Sequence, residues 1–260
     1  MTINIIKIGG NIINDSVALS SFLKDFAKLK GLKVLVHGGG KIATEVALKL
    51  DIETKMVEGR RITDAAMIEV VTMVYGGLIN KKIVAELQTL GCNAIGLTGA
   101  DAGLIKAHKR PVKTIDYGFV GDVDEVDGEK LSQFIQMGLS PVFAPLTFDP
   151  AHGMLNTNAD TQASEIARSL SKLADTSLTY CFEKKGVLSN VDDEESVIPT
   201  IDPVLYAKLK AEGVIFEGMI PKLDNAFDAI KAGVKKVIIC RADDLLWSVE
   251  KKKTGTRLVP

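Results

Sequence analysis

Val34-Leu35-Val36-His37-Gly38-Gly39-Gly40-Lys41 is the stretch on which the fold turns. A short apolar run meets three glycines, and an amphipathic segment over residues 41–50 follows. That order predicts a buried strand, a glycine loop and a helix whose free N–H groups and positive end form an anion hole. Two kinds of nucleotide loop compete for it. A Walker A loop is excluded, because no glycine precedes Gly40-Lys41 at the required spacing and Ile42 replaces the Ser or Thr. A dinucleotide fingerprint does match in spacing, through Gly38, Gly40 and Ala43. Its context fails. Such a fold needs a second buried strand ending in an acid about 20 residues on, whereas residues 51–59 are polar and poorly strand-like. A rival glycine loop already follows an earlier strand, in Ile5-Ile6-Lys7-Ile8-Gly9-Gly10-Asn11.

Outward from these two loops, short runs of Ile, Val and Leu alternate with longer amphipathic stretches. The alternation predicts an α/β fold, a three-layer αβα sandwich with a largely parallel central sheet. Strands are expected over residues 4–8, 33–37, 94–97, 141–144, 177–182 and 234–239. Helices are expected over 18–30, 41–50, 64–90, 129–137, 159–173, 203–212 and 221–232. Residues 105–126, broken by Pro111 and Gly118, read as a β-ribbon excursion. No linker separates independent domains, so 1–260 reads as one continuous unit.

Composition narrows the function classes. Hydrophobic residues make up 46%, charged residues 25%, and the net charge of −1 is interspersed, which leaves no nucleic-acid footprint. The run Lys251-Lys252-Lys253 reads as a solvated tail. Cys92, Cys181 and Cys240 lie far apart in apolar stretches, a pattern of buried small hydrophobes rather than of a disulfide framework or a zinc site. Lys7 and Asp15 interrupt any secretory h-region, and no apolar run reaches the roughly 18 residues of a membrane span, so a cytoplasmic location is expected.

Five sites carry chemistry. Lys7 inside a buried strand is costly unless something anionic meets it, and Gly9-Gly10 lets backbone N–H groups approach a ligand. The Gly38–Gly40 loop offers a second anion hole. Arg60-Arg61, just before a helix capped by Thr63 or Asp64, can grip a carboxylate in bidentate fashion. In Asn156-Thr157-Asn158-Ala159-Asp160, capping explains Asn158 but not the other two polar residues; Asp160 could orient lysines or magnesium-bound water, and Asn156 a ligand carbonyl or carboxylate. Lys222, after Glu217-Gly218-Met219-Ile220-Pro221, sits in the first turn of a helix against the dipole, which favours an anion nearby. With Lys7 it gives two lysines able to approach one anionic ligand. His37 beside the loop reads as structural.

Together these sites resemble the amino acid kinase family over essentially the whole chain, through KIGGN, VHGGGK, NTNAD and GMIPK in that order. The resemblance implies an ATP-dependent kinase, with magnesium carried by ATP and no metal site of its own, that phosphorylates the side-chain carboxylate of an N-acylated glutamate. The acyl group is acetyl by default, with succinyl as the alternative. By matched position Lys7 and Lys222 are implied to stabilise the transferring phosphoryl group, with Asp160 organising them. Gly38, Gly39, Arg61 and Asn156 are implied to hold the acyl amino acid. Gly9 and Gly10 are implied to join the phosphate-binding backbone, and Glu183, Lys184, Lys185, Gly186, Val187, Leu188, Val214, Ile215 and Phe216 to bind the nucleotide. Residues 1–172 would form an acceptor-binding and dimerising lobe, and 173–260 a nucleotide lobe.

Phe182-Glu183-Lys184-Lys185-Gly186 departs from the family's usual aspartate-valine pair before the loop glycine. The chain also starts almost at its first strand, without the extra N-terminal helix of arginine-inhibited hexameric relatives. A homodimer through residues 64–90, insensitive to arginine, is therefore expected. An NAD(P)-binding oxidoreductase is the rival from another class, testable by nicotinamide titration through Trp247.

Overall fold

A computed structural model describes residues 2–57, 59–215, 219–251 and 254–260. The chain begins with β1 (Ile3–Ile8), α1 (Gly10–Asn14), α2 (Ser16–Lys28), β2 (Leu32–His37), α3 (Gly40–Lys49), β3 (Met56–Val57) and β4 (Arg60–Arg61). It continues through α4 (Ala65–Val71), α5 (Asn80–Thr89), β5 (Ala94–Leu97), β6 (Ile105–Lys109), β7 (Gly121–Val126), α6 (Gly128–Gln136) and β8 (Ser140–Phe143). A hairpin of β9 (Leu146–Asp149) and β10 (Gly153–Asn156) then leads into α7 (Ala159–Ser171). The last part holds β11 (Thr176–Phe182), β12 (Thr200–Ile201), α8 (Pro203–Ala211), α9 (Ile220–Lys231), β13 (Lys236–Arg241) and β14 (Thr256–Leu258).

The main sheet runs β12-β14-β13-β11-β1-β2-β8-β5, so β1 lies between β11 and β2, both parallel to it. Among the described residues, only its β13–β14 pairing is antiparallel. Helices cover both faces. One apolar cluster joins Ile3, Ile5 and Val36 to residues of α6, α7, α8 and α9. The other joins Ile6, Ile8 and Leu35 to α2, α3, α4 and α5. This is the expected three-layer sandwich. Because strand side chains alternate, Lys7 shares the face of Ile3 and Ile5 and points toward α7 and α9.

After α3 the chain enters the β3–β4 hairpin instead of a parallel strand, which removes the βαβ context of a dinucleotide site. The expected helix over 64–90 is one continuous helical run from α4 to α5, but Thr72–Ile79 between them is π-helical. Gly76-Gly77 sits within this segment, where glycine weakens the α-helical alternative. The strand expected at 234–239 begins two residues later, since Val234 N–H is drawn to Ala229 O to close α9. The ribbon over 105–126 forms as antiparallel β6 and β7, joined to β9 and β10 in a second sheet.

Cys181 and Cys240, distant in the chain, come to 3.8 Å between sulfurs, because β11 and β13 are neighbours that place them in register. All three cysteines are buried and free, as their apolar stretches predict. Within the Lys251-Lys252-Lys253 run, Lys252 and Lys253 lie outside the described residues.

Candidate active site

The two glycine loops form one floor. Ile8 and His37 are in register on adjacent parallel strands, so Gly9-Gly10 and Gly38-Gly39-Gly40 leave the sheet side by side. A β-carbon on Gly38 would stand 3.6 Å from the Gly10 nitrogen. Gly39 has φ 155°, a backbone conformation few other residues adopt, and a side chain there would run into Ile79 and meet Tyr75 Cδ1 at 3.0 Å. Gly10 is the opposite case, with nothing within 4 Å of the place a β-carbon would take.

Above this floor stand two ammonium groups. Lys7 Nζ lies 2.7 Å from Asp160 Oδ1, and both side chains are almost fully buried. Asn158 caps α7 by accepting from Asp160 and Thr161 N–H, which fixes Asp160 in the first turn. Lys222 occupies the first turn of α9. The ring of Phe182, at the end of β11, lies beneath both cations: Lys222 Nζ is 3.9 Å and Lys7 Nζ 5.0 Å from its centre. Burial holds the Lys222 ammonium below the usual lysine range and Lys7 pushes the same way, while Asp160 and Glu183 oppose the shift. Lys7, Gly9, Gly10, Asn11, Gly40, Lys41, Phe182, Glu183 and Lys222 line a single cavity.

Gly40 also lines a neighbouring cavity of about 230 Å³. Gly38, Gly39, Arg61 and Asn156, scattered over more than a hundred residues of chain, all face into it. Arg61 is buried and anchored, Nη2 donating to Gly40 O and Thr44 Oγ1 at 2.8 Å each and Nη1 to Thr54 Oγ1 at 3.2 Å. Asn156 Nδ2 donates to Thr63 Oγ1 at 2.9 Å, and that hydroxyl donates to Arg61 O at 3.3 Å. One hydrogen-bonded chain thus ties both residues to the segment before α4, which Asp64 caps through Met67 N–H.

Of the residues expected on the nucleotide side, Lys184, Gly186, Val187, Leu188, Val214 and Ile215 line one small apolar pocket, joined by Val191 and Met219. Glu183 faces the lysine cavity instead. Lys185, beside this group in the chain, pairs with Glu195. Lys184 in turn pairs with Glu194 at 3.6 Å. Phe216, with Glu217 and Gly218 of the expected turn, lies outside the described residues.

Sequence reasoning missed Phe182, Tyr75, Lys41, Arg60 and Arg110 as lining residues. Phe182 carried a signal, since strand alternation with Tyr180 aims it at the face Lys7 occupies. Arg110, paired with Asp122 at 3.1 Å through Nε, carried none, because the ribbon that delivers it is fixed only by tertiary packing. Among the described residues no group of three or more His, Cys, Asp or Glu could hold a metal ion. The donors facing the lysine cavity include one carboxylate, Glu183, against three lysines, a set that fits an anionic metal–nucleotide complex better than a bare cation.

Residues 2–241 match the amino acid kinase family. An acetylglutamate kinase of Cytophaga hutchinsonii is 60% identical over 257 residues, covering 98% of this chain and 97% of that protein. An acetylglutamate kinase of Bacteroides fragilis is 58% identical over 240 residues, 92% of each chain. Among solved structures, smu.665 from Streptococcus mutans superposes with a TM-score of 0.79 at 28% identity, covering 99% of this chain and 98% of that one.

Proposed function

The chain belongs to the amino acid kinase family, and we propose that it transfers the γ-phosphoryl group of ATP to the side-chain carboxylate of N-acetylglutamate. The convergence of Lys7 and Lys222 over the Phe182 ring, beside paired glycine loops, carries this reading. The names of close relatives support the acetylated acceptor over the succinylated one.

The chemistry follows from charge. A carboxylate oxygen attacks the γ-phosphorus, a new O–P bond forms, and the bond to the β-phosphate oxygen breaks with its electrons leaving on ADP. No proton moves, since the acceptor is already ionised at pH 7, and no general base is needed. The obstacle is anion meeting anion, about 4 kcal/mol per unit-charge pair at ~4 Å and an effective dielectric near 20. Lys7 and Lys222 offset it, and the glycine-loop N–H groups hold the equatorial oxygens. Asp160, 2.7 Å from the Lys7 ammonium, keeps that side chain aimed. Magnesium, arriving on the ATP phosphates beside Glu183, would neutralise further charge.

Arg61 and Asn156 hold the acceptor's remaining polar groups in the 230 Å³ cavity. The adenosine end lies in the apolar pocket of Val187, Leu188, Val214 and Ile215, so the acceptor lobe is 1–172 and the nucleotide lobe 173–260. A homodimer through the helical run 65–89 agrees with exposed Met73 and Leu78 there, and a cytoplasmic location suits the free thiols.

A coupled ADP-release assay with hydroxylamine trapping of the acyl phosphate tests the reading, with N-acetyl- and N-succinylglutamate side by side. ATP turnover dependent on the acetyl compound is expected. Turnover with neither acceptor would refute the activity, and a preference for the succinyl compound would refute the acceptor.

A further inference from the structure

We propose that His37 is a positioning residue, which aims the Gly39 N–H into the cleft by holding the Gly38 carbonyl away from it. This rests on the phosphoryl-transfer reading of the cleft. His37 ends β2 and is completely buried. Its Nδ1 lies 2.7 Å from Gly38 O and its Nε2 3.2 Å from Asn80 Nδ2.

The protons can be assigned from these partners alone. Asn80 Nδ2 also lies 2.9 Å from Val142 O, an atom that only accepts, and Asn80 Oδ1 faces the Lys81 ammonium at 3.3 Å. The Asn80 amide is therefore oriented with its NH2 group toward His37. Nε2 must accept, so Nδ1 carries the proton and donates to Gly38 O. Burial pushes the ring's pKa down to about 4, which keeps this neutral form in place near neutral pH.

The planar trans peptide transmits the orientation. With its carbonyl held by the buried imidazole, the Gly38–Gly39 peptide must direct its N–H the opposite way. Among the described residues, no backbone hydrogen bond from the Gly39 N–H to the chain is found. Gly39 lines the cavity that Gly40 joins to the lysine cavity. Ile79 and Tyr75 close the other side of Gly39, so the peptide has little room to flip. A glycine loop left free would lose this N–H to rotation. The relay Val142–Asn80–His37–Gly38 removes that freedom before substrate arrives, the kind of preorganisation from which electrostatic stabilisation draws its strength.

The test uses the full chain. With 15N-labelled histidine at pH 7, wild-type His37 should show a protonated Nδ1 and a bare Nε2. The Nε2–H tautomer would overturn the proposal without any variant. The Gly39 amide is then followed during titration with inorganic phosphate. His37→Leu, which lacks the donor, should bind phosphate about 10-fold more weakly and lose about 10- to 100-fold in kcat, with the KM for ATP within about twofold. His37→Asn places an N–H where Nδ1 was and should recover both to within about threefold of wild type. A folded His37→Leu protein with wild-type phosphate affinity and kcat would refute the role. Tautomer and phosphate titration need no acceptor, so a mistaken acceptor would leave them intact while failing the coupled assay.

Discussion

Lys7 and Asp160, 153 positions apart in the chain, meet at 2.7 Å with side chains only 8% and 13% exposed. β1 supplies the cation and the first turn of α7 the anion, and the pair sits where the two glycine loops end. A charge pair this buried contributes little net stability, but breaking it leaves an ammonium with no counter-ion.

Asp160→Asn is therefore expected to cost about 3 kcal/mol of stability and about 100-fold in kcat, measured by urea unfolding and steady-state kinetics. It should also change the pH profile. Lys222 must be protonated to act, and its pKa already lies below the ordinary 10.5 through burial, helped by Lys7. Activity is lost as pH rises through that lowered value, so kcat/KM of the wild type should fall on an alkaline limb below 10.5. Removing the Asp160 charge, which holds the pKa up, should move the limb to lower pH. An unmoved limb would show that Asp160 does not set the charge of Lys222.

The glycines separate geometry from function. Gly39→Ala forces a side chain into Ile79 and Tyr75 at a φ of 155°, so a loss of about 2 kcal/mol or more in stability is expected, with activity lost too. Gly10→Ala has open space around the new methyl and should fold with a melting temperature close to wild type. If the space above Gly10 belongs to phosphate, that variant should nevertheless lose about 10-fold or more in kcat/KM for ATP. Equal activity of Gly10→Ala and wild type would remove Gly10 from the phosphate floor.

Much of the site was legible because physical cost marks it: a lysine on a buried strand, glycines at strand ends, a lysine opposing a helix dipole. The mark is less specific than it looks. Lys33, also on a buried strand, is met by no carboxylate among the described residues; its ammonium donates to the carbonyls of Phe26, Ala27 and Leu29 at 2.8, 2.8 and 2.9 Å, closing the negative end of α2. The cost alone does not name the partner: Lys33 closes the helix that just precedes its strand, whereas Lys7 meets Asp160, which only tertiary packing brings to it. Strand alternation gave the face of Phe182 but not the two cations above it, and no local mark announced the π-helical segment that carries Tyr75. Alternation marked most strands of the main sheet, while the β9–β10 hairpin that delivers Asn156 was hidden because its two strands are only four residues each.

Lys33→Met gives the contrast in an experiment. The helix end loses its capping cation, and a fall of about 2 kcal/mol in stability is expected. At a temperature where the variant is folded, kcat and both KM values should stay within about twofold of wild type, unlike Lys7→Ala, which should lose kcat by about 100-fold or more. A matching loss of kcat in both would mean that buried lysines here act through the fold rather than through the cleft.

Arg61 tests the acceptor cavity. Its planar fork spans Gly40 O and Thr44 Oγ1 on one side and Thr54 Oγ1 on the other. Lysine keeps the charge but cannot reproduce the fork. Arg61→Lys is expected to raise the KM for the acyl amino acid by about 10-fold or more, while the KM for ATP changes by less than about twofold. A change confined to ATP would place Arg61 on the nucleotide side.

His37 leaves a signature in stability as well as in catalysis. In the unfolded chain its imidazole titrates near 6.5, whereas burial holds it to about 4 in the folded protein. Between these values the unfolded state takes up a proton that the folded state refuses. The stabilising contribution is therefore complete above pH 6.5 and is lost as pH falls toward 4. Each pH unit in that window should cost up to about 1.4 kcal/mol, roughly 3 kcal/mol in all. Urea unfolding of wild type and His37→Asn at intervals from pH 7.5 to about 4.5 isolates this term, since the other groups that titrate there are common to both proteins. The wild type should lose stability faster than the variant below pH 6.5, and parallel curves would mean that His37 takes a proton in the folded state as readily as in the unfolded one.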